Sequence, residues 1–150
     1  MPPKPFKYPP VLDLSKVGKY SAAAKAGGGF VWDAVLEYRV WCHPERGAED
    51  LDDGSDYYYA FATGKEAEAF SRKTPGAETP LALILQVEHI NEPSPGVYVH
   101  VKKRRVTEWP VEFLNRPRRT ARTIPDFLSP GGPRNRLAIL RGHAKPPQRR

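Results

Sequence analysis

The feature that most constrains the fold is a run of alternating side chains from residue 30 to residue 43. One parity is mainly apolar and is occupied by Trp32, Ala34, Leu36, Tyr38, Val40 and Cys42. The other parity carries the polar side chains Asp33, Glu37, Arg39 and His43. Successive side chains of a β-strand point to opposite faces, so the pattern predicts a strand with one buried and one solvated face.

Three further strands are predicted, over residues 57–63, 81–90 and 97–106. The 81–90 stretch is the most apolar, which favours a central place in the sheet. Thr63 and Glu66 form a capping-box pattern that begins a helix ending before Pro75. Shorter helices are predicted within residues 13–26, 108–114, 123–128 and 134–141. The order β-β-α-β-β predicts an α+β fold: a mainly antiparallel four-stranded sheet with short helices on one side and after the last strand.

The domain limits follow from length and from the prolines. A chain of 150 residues suits one domain, and five of its 17 prolines fall in the first ten residues. We therefore expect a Pro-rich extended segment over 1–12, a single domain over 13–141 and a basic disordered tail over 142–150. The single cysteine excludes an intrachain disulfide. With neither a spanning apolar run nor a secretory signal pattern, we expect a cytoplasmic protein without membrane contact.

Charge is divided unevenly along the chain. Residues 101–150 carry 14 Lys/Arg and three acidic residues, a net charge of +11, whereas residues 1–100 carry a net charge of −4. Such asymmetry indicates a polyanionic partner or an anionic ligand. An acidic loop over residues 45–56 is rich enough in carboxylates to compete for the same basic surface.

Nucleic acid is the partner that this basic segment favours. Guanidinium groups bind phosphate with two hydrogen bonds, and aromatic rings among them can stack on unpaired bases. No helix-turn-helix or zinc pattern is present to read a DNA major groove, so RNA or a ribonucleoprotein is expected. The predicted contact residues are Lys102, Lys103, Arg104, Arg105, Arg116, Arg118, Arg119, Arg122 and Trp109, followed in the chain by Arg134, Arg136 and Arg141. A solvated basic surface and a module that docks an acidic protein are the alternatives.

Candidate catalytic groups are few. Cys42 and His43 are adjacent on a strand and point to opposite faces, which favours a buried structural thiol over a nucleophile. Glu88 and His100 are expected to face each other across a hairpin. They suit general acid–base catalysis, or a simple cross-strand charge pair worth about a few tenths of a kcal/mol. The histidines and the single cysteine lack the usual metal-ligand spacing, so no metal site is predicted.

Two resemblances add enzyme hypotheses. Residues 37–46, 57–63 and 108–114 resemble a family of small uncharacterised bacterial proteins, some of which carry a GNAT-type acetyltransferase label; this implies acetyl-CoA as cofactor. Tyr38-Arg39, the stretch 60–67 and Gln86-Val-Glu88 resemble ADP-ribosyltransferases of the Arg–Ser–Glu type. That resemblance implies NAD, with Arg39 holding its pyrophosphate and Glu88 stabilising an oxocarbenium-like state. The chain has no Gly-rich phosphate loop, which favours the binding protein over the transferase.

Overall fold

The computed structural model describes residues 8–147. The strands within them are β1 (Lys25–Ala26), β2 (Ala34–Cys42), β3 (Tyr57–Phe61), β4 (Leu81–Gln86), β5 (His89–Ser94), β6 (Val97–Val101) and β7 (Arg105–Pro110). The α-helices are α1 (Gly64–Lys73), α2 (Thr123–Leu128) and α3 (Arg136–Leu140). Short 3-10 turns occupy Leu14–Lys16, Pro44–Arg46 and Val111–Asn115.

The main sheet has the strand order β1-β7-β4-β2-β3. Its four long strands β7, β4, β2 and β3 are antiparallel neighbours, and the two-residue β1 adds in parallel to β7. The predicted α+β fold with a four-stranded antiparallel sheet is therefore confirmed. The apolar β4 lies between β2 and β7, as expected for the strand with the least polar sequence.

Two predicted strands are each broken into two. The 81–90 stretch ends its sheet pairing at Gln86, where the Val87 amide donates to Asp33 Oδ2 at 2.7 Å. The 97–106 stretch is interrupted after Val101. The pieces between the breaks, β5 and β6, pair with each other as a separate two-stranded hairpin.

A β-bulge changes the faces of β2. The register of β2 against β4 shifts between Val35 and Glu37. Val35 and Tyr38 consequently pack in one core cluster with α1, whereas Leu36 packs on the opposite face of the sheet. The expectation of one solvated face is wrong, because Glu37 and Arg39 are both fully buried.

The polar side of β2 is covered by residues 13–24, which we call the N-terminal strap. The strap crosses this face between the bridge of Val11 with Val35 and the start of β1. The Gly18 amide donates to Glu37 Oε1 at 2.9 Å, and Tyr20 packs in the cluster that contains Leu36. Instead of a helix within 13–26, the strap has one 3-10 turn followed by irregular chain with turns and bends.

The domain reaches beyond the predicted limits of 13–141. Tyr8 packs edge-on against the Tyr38 ring, so the first described residues lie against the core. At the other end, the Ala144 amide donates to the Ala138 carbonyl at 3.2 Å. The rest of the Pro-rich segment, residues 1–7, and the last tail residues, 148–150, lie outside the described part.

The helices largely follow their sequence signals. The Thr63 side chain accepts from the Glu66 amide at 3.2 Å and caps α1, as predicted. The 123–128 helix is confirmed and the last helix is shorter than predicted. The prediction for 108–114 is wrong in its first half, because residues 108–110 complete β7. Helices α2 and α3 form a second core with the β5–β6 hairpin, built on Val31, Ile90, Ile124, Phe127 and Leu140.

Strand register places the two charged loops at opposite ends of the sheet. Ala34 at the start of β2 pairs with Leu85, and the neighbouring Gln86 pairs with Arg105, so the basic 102–104 loop lies at this end. The acidic 45–56 loop leaves the other end of β2. At about 3.3 Å per residue, the nine-residue β2 separates the ends by about 26 Å. No helix in residues 8–147 has the length and apolar character to cross a membrane.

Candidate anion-binding surface

The loop between β6 and β7 exposes three of the predicted cations. Lys102, Lys103 and Arg104 all face solvent. In a continuous strand they would alternate between faces, but the break after Val101 frees them from that constraint. Arg104 and Lys16 of the N-terminal strap line a hollow of about 330 Å³ beside the loop.

Arg105, the fourth predicted cation of this segment, makes contacts within the fold. Its Nε donates to Gln86 Oε1 at 2.5 Å, and its guanidinium lies beside Gly28 and Gly29. Gln86 Nε2 in turn donates to the Gly28 and Val31 carbonyls. Burial lowers the pKa of Arg105 from its ordinary value. This guanidinium lies against the glycine turn over residues 27–29 and is partly buried, unlike the exposed cations of the 102–104 loop.

Trp109 and Arg116 also make contacts within the fold. The Trp109 ring is fully buried and its Nε1 donates to the Gly28 carbonyl at 2.9 Å. The Arg116 guanidinium lies over the Trp109 and Phe113 rings, at 4.9 and 4.3 Å from their centroids, and donates to the Phe30 carbonyl. Burial lowers the pKa of Arg116. The predicted role of Trp109 as a stacking platform is wrong, because neither face of the ring is open to a base.

Glu88 and His100 do meet, as predicted. His100 Nε2 lies 2.5 Å from Glu88 Oε1, although the backbone partner of His100 is Ile90 and Glu88 precedes β5. Arg119 bonds the second Glu88 oxygen at 2.6 Å and also lies 2.7 Å from Asp33. The hydrogen bond to Asp33 raises the pKa of Arg119.

This ion cluster ties residue 119 to the hairpin and to the start of β2. Both Glu88 oxygens and the Arg119 guanidinium are engaged within the protein, which leaves Arg119 no free edge for an outside phosphate. General acid–base catalysis by Glu88 and His100 stays a prediction. The pair is partly accessible, with side-chain exposures of 18% and 20%.

Arg39 lies in the interior and not in a cofactor cleft. Its Nε bonds Glu37 at 2.7 Å and its Nη1 bonds Glu108 at 3.1 Å. Nη2 donates to the Ser21 carbonyl of the N-terminal strap at 2.6 Å, and the guanidinium stacks on the Tyr58 ring. With a side chain that is fully buried, Arg39 does not face a space in which a pyrophosphate could bind, which contradicts its predicted cofactor role.

Three other arginines converge on one cleft of about 490 Å³, which we call the arginine cleft. Arg118 and Arg122 were predicted; Arg136 lay in the same basic run but had no signal joining it to them. Arg118 stacks over Trp32 at 4.8 Å and Arg136 over Phe127 at 5.1 Å. The cleft is also lined by Pro117, Thr120, Thr123, Asp126, Pro133, Ile139 and Pro146.

The acidic loop does not neutralise this surface. In the described range 8–147, the ion pairs made by cations of the 102–145 segment go to Asp33, Glu88 and Asp126, and none reaches residues 45–56. The longest of them joins Arg122 to Asp126 at 3.8 Å, where both side chains are largely exposed. The cations of the 102–104 loop and of the arginine cleft therefore keep most of their positive potential.

No family model matches the chain, and neither a curated protein nor a solved structure shows significant similarity to it. The acetyltransferase and ADP-ribosyltransferase resemblances thus stay predictions.

Proposed function

We propose that this protein binds single-stranded nucleic acid, with RNA as the expected form, in the arginine cleft. The observation that carries the proposal is the convergence of Arg118, Arg122 and Arg136 on one concave, partly apolar surface. Arg118 lies over Trp32, just before β2 begins, so the cleft is at the same end of the sheet as the exposed 102–104 loop, which would supply further phosphate contacts.

The stacked arginines suit phosphate binding. A guanidinium that lies flat on an aromatic ring keeps its N–H edges free, and the ring limits its rotation. Arg118 and Arg136 suit this arrangement, because their guanidinium carbons lie over the Trp32 and Phe127 rings, at 4.8 and 5.1 Å from the centroids. They therefore present oriented hydrogen-bond donors, which bind phosphate more specifically than mobile lysine side chains do.

The dimensions favour a single strand. Small-ligand sites span about 300–1,000 Å³, so a cleft of about 490 Å³ has room for roughly one nucleotide of a longer strand. Reading a duplex usually requires a helix or a β-ribbon in the major groove. Helices α2 and α3, with six and five residues, form walls of this cleft instead of projecting from the surface.

Fluorescence anisotropy with a labelled 12-nucleotide oligouridylate tests the proposal over a salt series. If about three to five phosphates are contacted, log K should fall against log salt with a slope of about −2 to −3.5. Arg118→Gln and Arg136→Gln should each weaken binding and reduce the slope by about 0.7. Lys65→Gln removes an equal charge from the exposed face of α1 and serves as the matched control.

Absence of salt-sensitive binding, or equal losses in Lys65→Gln and Arg118→Gln, would contradict the proposal. The same cleft also has the volume and charge for a pyrophosphate-bearing cofactor, which is the observation that keeps a transferase as second candidate. Saturable stabilisation by NAD or acetyl-CoA, lost in Arg136→Gln and without a response to RNA, would favour that candidate. Stabilisation by none of them would favour a site for an acidic protein partner.

A further inference from the structure

Strand pairing gathers metal-ligating side chains at the acidic end of the sheet. His43 follows β2 and Asp56 precedes β3, whose first residue Tyr57 is the pairing partner of Cys42. Glu45 lies on the adjoining 3-10 turn. One ligand atom from each of His43, Glu45 and Asp56 lies within 4.8 Å of the others.

His43 is held rigidly in this position. Its amide donates to the Gly76 carbonyl at 2.9 Å, and its own carbonyl accepts from the Arg46 and Ala48 amides. The residue is only 8% exposed. Burial and backbone pairing thus fix the imidazole at the base of a site whose two carboxylates, Glu45 and Asp56, face solvent.

The imidazole lies between two carboxylates. Nδ1 is 2.9 Å from Asp56 Oδ1, and Nε2 is 2.8 Å from Glu78 Oε1. These contacts are close but poorly aligned, and neither ring nitrogen has a hydrogen-bond partner of acceptable geometry. An imidazolium faces both carboxylates with an N–H, whereas the neutral ring faces one of them with a lone pair, which a cation can bind.

A cation bound to the neutral ring would take the place of the Nδ1 proton in this arrangement. Nitrogen and oxygen ligands each lie about 2.0–2.2 Å from a zinc ion, so two ligands of a tetrahedral site are about 3.4 Å apart. Nδ1 and Asp56 Oδ1 lie 2.9 Å apart, so a small movement of the exposed Asp56 side chain would reach that spacing. Glu78 on the opposite nitrogen matches the carboxylate that commonly orients a metal-ligating histidine through its other N–H.

We propose that His43 Nδ1, Asp56 and Glu45 bind a divalent transition-metal ion, with Glu78 as the positioning residue on Nε2. The imidazole ligand favours zinc or a similar ion over Ca²⁺, which prefers oxygen ligands alone. Three protein ligands leave a coordination position for water. This differs from the expectation of no metal site, which considered ligand spacing along the chain and not across paired strands.

Isothermal titration of the full chain with zinc chloride tests the site. We expect one zinc ion per chain, and at least a tenfold lower affinity in Asp56→Asn and in Glu45→Gln. Glu78→Gln should lower affinity by about 10–100-fold and keep the one-to-one stoichiometry. Glu49→Gln removes the same charge from the same acidic loop, outside the ligand set, and should leave the affinity unchanged. Asp56 is exposed, so its variant should fold.

Three results would overturn the proposal. The first is no one-to-one binding at zinc concentrations up to about 100 μM. The second is an equal loss of affinity in Glu49→Gln and Asp56→Asn, which would indicate diffuse attraction to the loop. The third is calcium binding as tight as zinc binding, which would refute the transition-metal assignment.

Discussion

Replacement of Arg39 by methionine is expected to destabilise the fold strongly. The guanidinium and the Glu37 carboxylate that it pairs with are both fully buried. Removal of one member of a buried ion pair leaves an uncompensated charge and typically costs about 3–5 kcal/mol. At about 1.4 kcal/mol per factor of ten, the unfolded population should rise by about two to three and a half orders of magnitude.

The structure also predicts a partial rescue. Glu37→Gln on the Arg39→Met background removes the buried charge, and the amide oxygen can still accept from Gly18 as the carboxylate does. We expect this second change to recover about 1–3 kcal/mol, the usual cost of an unsatisfied buried polar group. Glu108 loses one cation but keeps the Trp41 Nε1 hydrogen bond and is partly exposed.

Urea denaturation followed by tryptophan fluorescence measures both effects. With a slope near 2 kcal/mol per molar urea, the Arg39→Met midpoint should fall by about 1.5–2.5 M. A loss below about 1 kcal/mol would refute the reasoning, as would a double variant no more stable than Arg39→Met. Either result would mean that the N-terminal strap does not seal this ion pair from water.

Three further outcomes follow from the backbone and from burial. Gly29 has a φ of +83° and an added Cβ would overlap the Gln86 amide, so Gly29→Ala should lower the melting temperature clearly more than Gly96→Ala, whose φ is +80° in open space. Burial and nearby cations lower the pKa of His89, so its neutral form is favoured in the folded state. The stability that neutral His89 contributes should be lost as pH falls below about 6.5, the ordinary histidine pKa, so the change in urea midpoint over this range should differ between the native sequence and His89→Gln, with the native sequence losing more at low pH. Burial raises the pKa of Cys42, so its alkylation should be slow in the native protein and fast in urea; equal rates would contradict this.

Local sequence patterns predicted the strands and α1, because alternation and capping depend on neighbouring residues. The bulge in β2 could not be predicted in this way. One extra residue moves all the following side chains of a strand to the opposite face. This bulge exists only in the pairing of β2 with β4, which local patterns in β2 do not contain. Burial of Arg39 also depended on the N-terminal strap, whose irregular chain carries no periodic signal.

The site was predictable only in part, for the same reason. The contact of Glu88 with His100 followed from a hairpin, a short-range element. Aromatic residues interleaved with arginines do not show which rings face the core, so Trp109 was misassigned. The convergence of Arg118 with Arg136 depends on the packing of α2 against α3 beside the hairpin, which is tertiary information.

Because the basic and acidic loops lie at opposite ends of β2, the charge of the molecule is distributed unevenly along this strand. Their separation of about 26 Å exceeds the Debye length of about 8 Å at physiological ionic strength, so each end acts on its surroundings almost independently. If the proposed nucleic-acid binding holds, a polyanion should turn the protein before contact, with the arginine cleft leading. The end that contains His43 would then point away from the nucleic acid and stay open for a second ligand.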